Sequence, residues 1–355
     1  MADAISKYAY INAKLRARIS MILPAEMLSQ LAKAASLDAL LVILRNTPFG
    51  VLEEIYTETG DIKLAELELL KNEIALFKDI SKYIHKTSKQ LVEALLYQFE
   101  IDTFKNAIRL YFDRKIRKRI DGAGIHYIIY EPIIHEMPMD LIISAESFDE
   151  IAGLCSGTAY SDIIKEYGPA VEAESSLFNL EVALDHFYYD NLLAAVNKLD
   201  SDDRVVALRL IGVEIDLQNI SWIIRFKEFY NLPMEAVLAA IIPGGFSLDR
   251  KVMDELYHAQ NVSPVLQEFV KKKLPDLSTL LTSQVSDVTS RLLLIGRILD
   301  EIRQHEVSRI LAGYPFNIGI ILAYFVLKRD ELKKIRMLLN AKQYGQQQER
   351  IESLI

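Results

Sequence analysis

Cys155 is the residue whose setting most resembles a catalytic motif. It lies in Gly-Leu-Cys-Ser-Gly at 153–157, which has the outline of a nucleophile elbow with cysteine as the nucleophile. That motif needs a strand before the nucleophile and a helix after it. The preceding segment, 149–154, aligns instead with 38–43, which has a helical pattern. The sequence therefore favours a helix C-terminus capped by Gly157 over a cysteine hydrolase.

Other catalytic or ligand-binding patterns are missing from the sequence. The histidines form no His-x-x-x-His pair, and a single cysteine cannot supply the Cys-x-x-Cys of a zinc site. The glycines at 122–124 and 244–245 match neither a phosphate loop nor a dinucleotide fingerprint. We therefore expect no catalytic residue, no metal and no cofactor. The histidines are His85, His126, His135, His186, His258 and His305.

Two basic runs, 114–119 and 271–273, stand out in a chain of net charge −8. They are typical of a solvated helix face, or of a patch that meets an acidic partner or anionic lipid headgroups. The acidic balance argues against nucleic-acid binding, which depends on clustered Lys and Arg.

One helical pattern occurs three times. Apolar residues spaced three and then four apart form one stripe of an α-helix. The three stripes are Phe104, Ala107 and Tyr111; Leu217, Ile220 and Ile224; and Leu332, Ile335 and Leu339.

Polar residues recur around each stripe at nearly constant spacing. A polar residue stands two positions after the first apolar residue of each stripe; the three are Asn106, Asn219 and Lys334. Successive copies are therefore 113 and 115 residues apart. A basic residue follows eight positions later, and an acidic residue precedes. The basic residues are Arg114, Lys227 and Lys342, and the acidic ones are Asp102, Asp216 and Glu331.

These offsets predict three copies of one helical unit, with domains at 1–115, 116–232 and 233–355. Segments 36–49 and 147–160 align without a gap, and a fainter third copy lies near 262–269. The longest predicted helices cover 62–85, 87–111, 172–198, 280–311 and 316–341. Only 125–130 has the pattern of a strand, so the predicted fold class is all-α.

Composition limits the remaining possibilities. With 355 residues, 51% of them hydrophobic, the chain can bury a large core. The N-terminus lacks the apolar segment of a signal peptide. The longest apolar run, 318–327, is shorter than the roughly 20 residues of a membrane span. We expect a soluble protein that reaches a membrane only through a partner.

Three segments resemble the C subunit of bacterial and archaeal A/V-type rotary ATPases, whose eukaryotic counterpart is the d subunit. Residues 8–18 resemble the Tyr- and Arg-bearing first helix, and 214–227 the central Asp/Asn/Arg helix. Residues 314–336, beginning Tyr-Pro-Phe, resemble the C-terminal signature, which 342–351 continues. Ile220-Ser221 departs from the usual Leu-Arg pair of the family.

The resemblance implies three similar helical domains around a pseudo-threefold axis, forming a funnel. It implies a central-stalk socket on the cytoplasmic face, between the rotor shaft and the membrane proteolipid ring. This socket would transmit torque in a proton- or sodium-translocating complex, without catalysis and without binding nucleotide. A general helical scaffold for other protein partners is the alternative.

Four residues on or beside the repeated helices are the predicted partner contacts. They are polar or basic, and we expect them to face the cavity and hold the shaft, or else to form salt bridges between the domains. The four are Asn219, Arg225, Lys334 and Arg336.

Overall fold

The computed structural model describes residues 2–119, 128–230, 232–259, 262–273, 288–346 and 351. Within these residues all regular structure is helical and no strand occurs, so the all-α prediction is confirmed. The first eight helices are α1 (Ala2–Ile19), α2 (Ala25–Lys33), α3 (Leu37–Leu44), α4 (Val51–Thr59), α5 (Ile62–Ile80), α6 (Lys86–Lys115), α7 (Met139–Ser144) and α8 (Phe148–Leu154). The next eight are α9 (Ala159–Glu174), α10 (Phe178–Asn197), α11 (Ser201–Tyr230), α12 (Met234–Ala240), α13 (Arg250–His258), α14 (Ser263–Lys273), α15 (Val288–Ala312) and α16 (Gly319–Gln343).

The order of helix lengths repeats along the described chain. Long pairs occur three times, as α5 with α6, α10 with α11, and α15 with α16, and shorter helices precede each pair. The three predicted apolar stripes lie on α6, α11 and α16, and all nine side chains are buried. Their burial is what holds these helices in place, since an isolated helix in water is only marginally stable.

Serine caps support the predicted alignment of the first two copies. Ser36 and Ser147 precede α3 and α8, and each hydroxyl accepts a hydrogen bond from the backbone N–H three residues later, at 3.2 Å. Such a cap satisfies one of the donors that a helix start leaves unpaired.

The chain divides into two compact units, and the second of them is residues Ala34–Leu199. In this unit α6 packs against α5, α7 and α10, while α8 packs against α9. Helices α8 and α9 approach closely at Gly168, where an added Cβ would lie 2.7 Å from the Cβ of Phe148.

The first unit combines Met1–Lys33 with Asp200–Ile355. Here α11 packs against α13, α15 and α16, and α16 also packs against α1 and α15. Asp203 ties α1 to the rest of the unit: its carboxylate accepts from the Tyr8 hydroxyl, from Lys7 Nζ at 2.8 Å and from the Ile318 N–H at 2.8 Å.

The structure differs from the sequence prediction in several places. A continuous helix over 172–198 is wrong, because Ser175 adopts φ +51° between α9 and α10 and Ser176 Oγ accepts from the Phe178 N–H. Helices α4, α9 and α12 were not predicted. Most of the possible strand at 125–130 and the start of the predicted helix at 280–311 lie outside the described residues, and 128–130 have no regular structure. The three domain boundaries and the pseudo-threefold funnel stay predictions.

Candidate partner-binding site

Asn219, one of the four predicted contacts, is an internal brace. Its side chain is 1% exposed. Its amide nitrogen donates to the Ile242 carbonyl at 2.8 Å, and its amide oxygen accepts from the Ile242 N–H at 2.9 Å. Both polar ends of the side chain are therefore engaged in fixing the backbone just after α12.

The three basic candidates lie nearer the surface. Arg225 on α11 and Arg336 on α16 are exposed, and Lys334 is half-buried. All three belong to the first unit. Their exposure leaves them able to meet a partner, whereas Asn219 can influence one only by positioning the loop that it holds.

That loop, residues 242–248, is pinned to α11 a second time by Asp216. The buried carboxylate accepts from the Ser247 N–H at 2.7 Å, from the Ser247 hydroxyl at 3.0 Å and from the Leu248 N–H at 3.2 Å. Gly245 makes this approach possible, since an added Cβ would lie 2.2 Å from Asp216 Oδ1.

Asp216 and Lys227 together hold α13 at both of its ends. Asp216 binds the backbone N–H groups just before the helix, and Lys227 Nζ donates to the carbonyl of Ala259, its C-cap. The two residues are eleven positions apart, or about 16 Å along α11 at 1.5 Å per residue. We call this arrangement, in which one long helix holds both ends of a short helix, a bracket. The acid at the N-terminus of the short helix and the cation at its C-terminus both complement the dipole of that helix.

A second bracket joins α16 to α2. Glu331 accepts from the Leu23 N–H, just before α2, at 2.8 Å. Lys342 Nζ donates to the carbonyl of Ala32, in the last turn of α2, at 2.7 Å. Glu331 and Lys342 are again eleven positions apart and occupy the same register of the repeated helix as Asp216 and Lys227.

The equivalent joint in the second unit lies between α6 and α7 and differs at one end. Arg114 donates from Nε to the Ile143 carbonyl at 3.2 Å and from a terminal nitrogen to the Ala145 carbonyl, at the end of α7. At the acid position this copy has Thr103, and Glu100, one turn earlier, binds the N–H groups of Ile134 and His135 at 2.7 Å. The three recurring basic residues thus have one shared role, which the sequence did not reveal.

Glu100 is the centre of a buried polar cluster. Besides the two backbone bonds, it accepts from the Tyr160 hydroxyl at 2.9 Å and from His135 Nδ1 at 2.8 Å. Burial, followed by the charge of Glu100, raises the pKa of the Tyr160 hydroxyl. His135 is therefore a structural histidine, as its lack of a second helical histidine suggested.

Helices α11, α15 and α16 are joined by a buried ionic network. Glu214 accepts from Arg303 Nε at 2.6 Å and from a terminal nitrogen of Arg329. Burial alone would raise the pKa of Glu214, but the charges and hydrogen bonds of the two guanidinium groups outweigh it and lower the pKa. Arg209 and Glu306 add a bidentate pair between α11 and α15, at 2.8 and 3.1 Å.

The basic runs are only partly available to a partner. Within 114–119, Arg114 and Lys115 contact the α7 end and Glu146, and Arg117 pairs with Asp113 at 3.2 Å. In the second run, 271–273, the Lys271 side chain is exposed, and the side chains of Lys272 and Lys273 lie outside the described part of the structure.

The nucleophile-elbow interpretation of Cys155 is wrong. The residue follows α8 and not a strand, and its side chain is 1% exposed. Burial raises the pKa of the thiol to about 12, so the thiolate that a nucleophile requires is suppressed at neutral pH. Gly157 has φ +84°, as expected of a glycine that ends a helix.

The described part of the chain has neither a metal-binding cluster nor a membrane-spanning helix. No group of three or more His, Cys, Asp or Glu residues there is arranged to hold a metal ion. None of its helices has the length and apolarity that a bilayer-spanning helix needs.

The sequence profile of the ATP synthase (C/AC39) subunit family matches residues 11–354. Several curated archaeal relatives are named as the C subunit of an A-type ATP synthase. That of Methanosphaera stadtmanae is 22% identical over 337 residues, 94% of this chain and 84% of its own length. That of Pyrococcus furiosus is 23% identical (98% and 90%), and that of Methanococcoides burtonii 24% identical (95% and 90%). Because the family match spans nearly the whole chain, this protein belongs to the ATP synthase (C/AC39) subunit family.

Proposed function

We propose that this protein is the rotor adapter of an A/V-type rotary ATPase. It receives the rotor shaft at one end, rests on the membrane proteolipid ring at the other, and transmits torque between them. It binds at the cytoplasmic face through these partners and carries out no catalysis itself. Membership of the ATP synthase (C/AC39) subunit family supports this proposal.

The observation that carries the mechanical part of the proposal is the bracket. A torque-bearing part must resist shear between its helices, and close-packed helices meet that need. Brackets add directional contacts, because each holds both ends of a short helix from one long helix. The network around Glu214 joins three long helices in the same way. The rotation of one helix against its neighbours would break several charged hydrogen bonds at once.

For the shaft contact we propose Arg225 and Arg336, with Lys334 beside them. These cations would meet acidic groups on the shaft, where many modest contacts give a firm hold without a single hot spot. Asn219 takes a different part in this proposal: it positions the 242–248 loop and does not itself contact the shaft.

The test is a binding measurement between the full-length protein and the purified shaft of the same complex. Arg225→Glu and Arg336→Glu should each weaken binding at least tenfold while leaving the helical circular dichroism unchanged. Arg204→Glu is the matched control, since Arg204 is an exposed arginine on the same helix, about 30 Å from Arg225 along its axis. It should bind as wild type.

Two results would count against the proposal. If both reversals bind the shaft with unchanged affinity, the assigned contacts are wrong. If wild-type protein binds neither shaft nor proteolipid ring but copurifies with unrelated proteins, the general scaffold interpretation replaces the rotor adapter.

A further inference from the structure

The start of α11 carries an exposed apolar surface. Val205, at 68%, is the most exposed large apolar side chain in the described part of the chain, and Leu208 is exposed beside it. The spacing of three and then four residues continues this stripe of the helix to Gly212. There Phe246 of the 242–248 loop lies against α11, so close that an added Cβ on Gly212 would be 3.0 Å from the Phe246 Cβ. We call Val205, Leu208 and Phe246 the apolar patch.

Phe246 is held firmly in this position. Its N–H donates to the Gly212 carbonyl at 3.2 Å, and the guanidinium of Arg209 lies 5.4 Å from the centre of its aromatic ring. Asn219 and Asp216 fix the loop on either side of it. The side chain is nevertheless 49% exposed. An exposed aromatic residue that is already ordered loses little conformational freedom on binding, and aromatic residues are enriched among those that dominate protein interfaces.

The surroundings of the apolar patch carry a net positive charge. Arg209 donates to Glu306 at 2.8 and 3.1 Å, and Arg309 donates to the same carboxylate at 3.1 Å, so one negative charge meets two positive ones. Asp202 and Arg204, both exposed near the start of α11, balance each other. A partner that complements this surface therefore presents apolar side chains flanked by a carboxylate.

The apolar patch and the proposed shaft contacts lie toward opposite ends of the same packed helices. Helices α11 and α16 run parallel, because Asp203 and Glu214 contact Ile318 and Arg329 respectively, in each case 115 residues further along the chain. The arginines proposed to meet the shaft lie toward the C-terminal ends of these two helices, whereas the apolar patch lies on the N-terminal half of α11. Val205 and Arg225 are twenty residues apart, or about 30 Å along the helix.

We infer that the apolar patch is the surface with which this protein meets the proteolipid ring, through apolar side chains and a flanking carboxylate on that ring. This inference rests on the rotor-adapter proposal, in which the shaft and the proteolipid ring bind at opposite ends. The position of the apolar patch, away from the proposed shaft contacts, selects the proteolipid ring as its partner. Phe246 is the central contact.

The test is a binding measurement between the full-length protein and the purified, detergent-solubilised proteolipid ring of the same complex. Phe246→Ser removes the aromatic contact, and Val205→Asp places a charge in the apolar surface, so each should weaken binding at least tenfold. Val205 projects into solvent from a helix, so Val205→Asp should keep the wild-type circular dichroism and tests the inference even if Phe246→Ser does not fold. Tyr344→Ser is the matched control and should bind as wild type, since it removes an exposed aromatic side chain just beyond the C-terminal end of α16.

The possible results separate this inference from the rotor-adapter proposal. If the wild type binds the proteolipid ring and both patch variants bind it equally well, the inference is overturned and the rotor adapter stands. Loss of shaft binding, or of binding to protein-free anionic vesicles, in variants that still bind the proteolipid ring normally would assign the apolar patch to that other partner and also overturn the inference. If the wild type does not bind the proteolipid ring at all, both proposals fail.

Discussion

Replacing Asn219 with leucine separates a bracing role from a partner contact. The Asn219 amide makes two hydrogen bonds to the backbone of Ile242, and both residues are 1% exposed. Leucine has a similar volume but cannot form either bond. The Ile242 N–H and carbonyl would remain buried without a partner in the folded protein.

The size of the effect follows from those two groups. A buried polar group left without its hydrogen bond costs about 1–3 kcal/mol. The leucine side chain recovers part of this by burying apolar surface, so we expect a loss of about 2–4 kcal/mol in the free energy of unfolding. For a unit of just under 200 residues this lowers Tm by about 5–15 °C.

Urea unfolding followed by circular dichroism measures this loss, and hydrogen exchange at 242–248 locates it. Asn46→Leu is the control, because Asn46 is exposed and the change there should alter stability by less than about 0.5 kcal/mol. The reasoning fails if Asn219→Leu unfolds at the wild-type urea concentration. If that variant has also lost shaft affinity, Asn219 is a contact residue after all.

Two further changes test the packing and the charges of the first unit. Gly245→Ala should lower the free energy of unfolding by about 1–3 kcal/mol, because the added Cβ would overlap Asp216. Gly153→Ala is the control in the same urea assay. An added Cβ has open space at that position of α8, so this change should raise the free energy of unfolding by about 0.5–1 kcal/mol. Glu214→Gln should lower the free energy of unfolding by about 3–5 kcal/mol at pH 7. The folded pKa of Glu214 is lowered, so its contribution is complete above an unfolded pKa of about 4.3 and is lost as pH falls through the folded value. The variant should therefore show a flatter acid limb when urea midpoints are compared from pH 7 to 3, and Glu58→Gln, a change at an exposed glutamate, should leave that limb unchanged.

The helices were predictable because their signals are local. An apolar stripe on α6, α11 or α16 follows from spacings of three and four, and Ser36 and Ser147 announce helix starts by residue type alone. The break at Ser175 was missed because serine rarely adopts φ +51° and the apolar pattern continues across it.

The roles of the recurring polar residues were not predictable, since their partners are distant. The sequence shows a basic residue at the same position of each copy, but not that Lys342 reaches a carbonyl 310 residues away. In the first copy the sequence pattern placed the recurring acid at Asp102, which is exposed. The position equivalent to Asp216 and Glu331 is instead Thr103. An error of one residue moves a side chain by about 100° around the helix, from the joint to the solvent.

The bracket explains how the pattern of polar residues can recur in each copy although the residue types at its positions differ. A bracket requires only an acceptor near the middle of the long helix and a cation eleven residues later, since both bind backbone groups at or next to the ends of the short helix. Asp or Glu can serve at one end, and Lys or Arg at the other, without any matching change in the helix that is held. Where the acid is replaced by Thr103, a second acid one turn away, Glu100, binds the backbone just ahead of α7. Recognition of backbone at both ends thus conserves the geometry of the joint while leaving the sequence of the short helix free to vary.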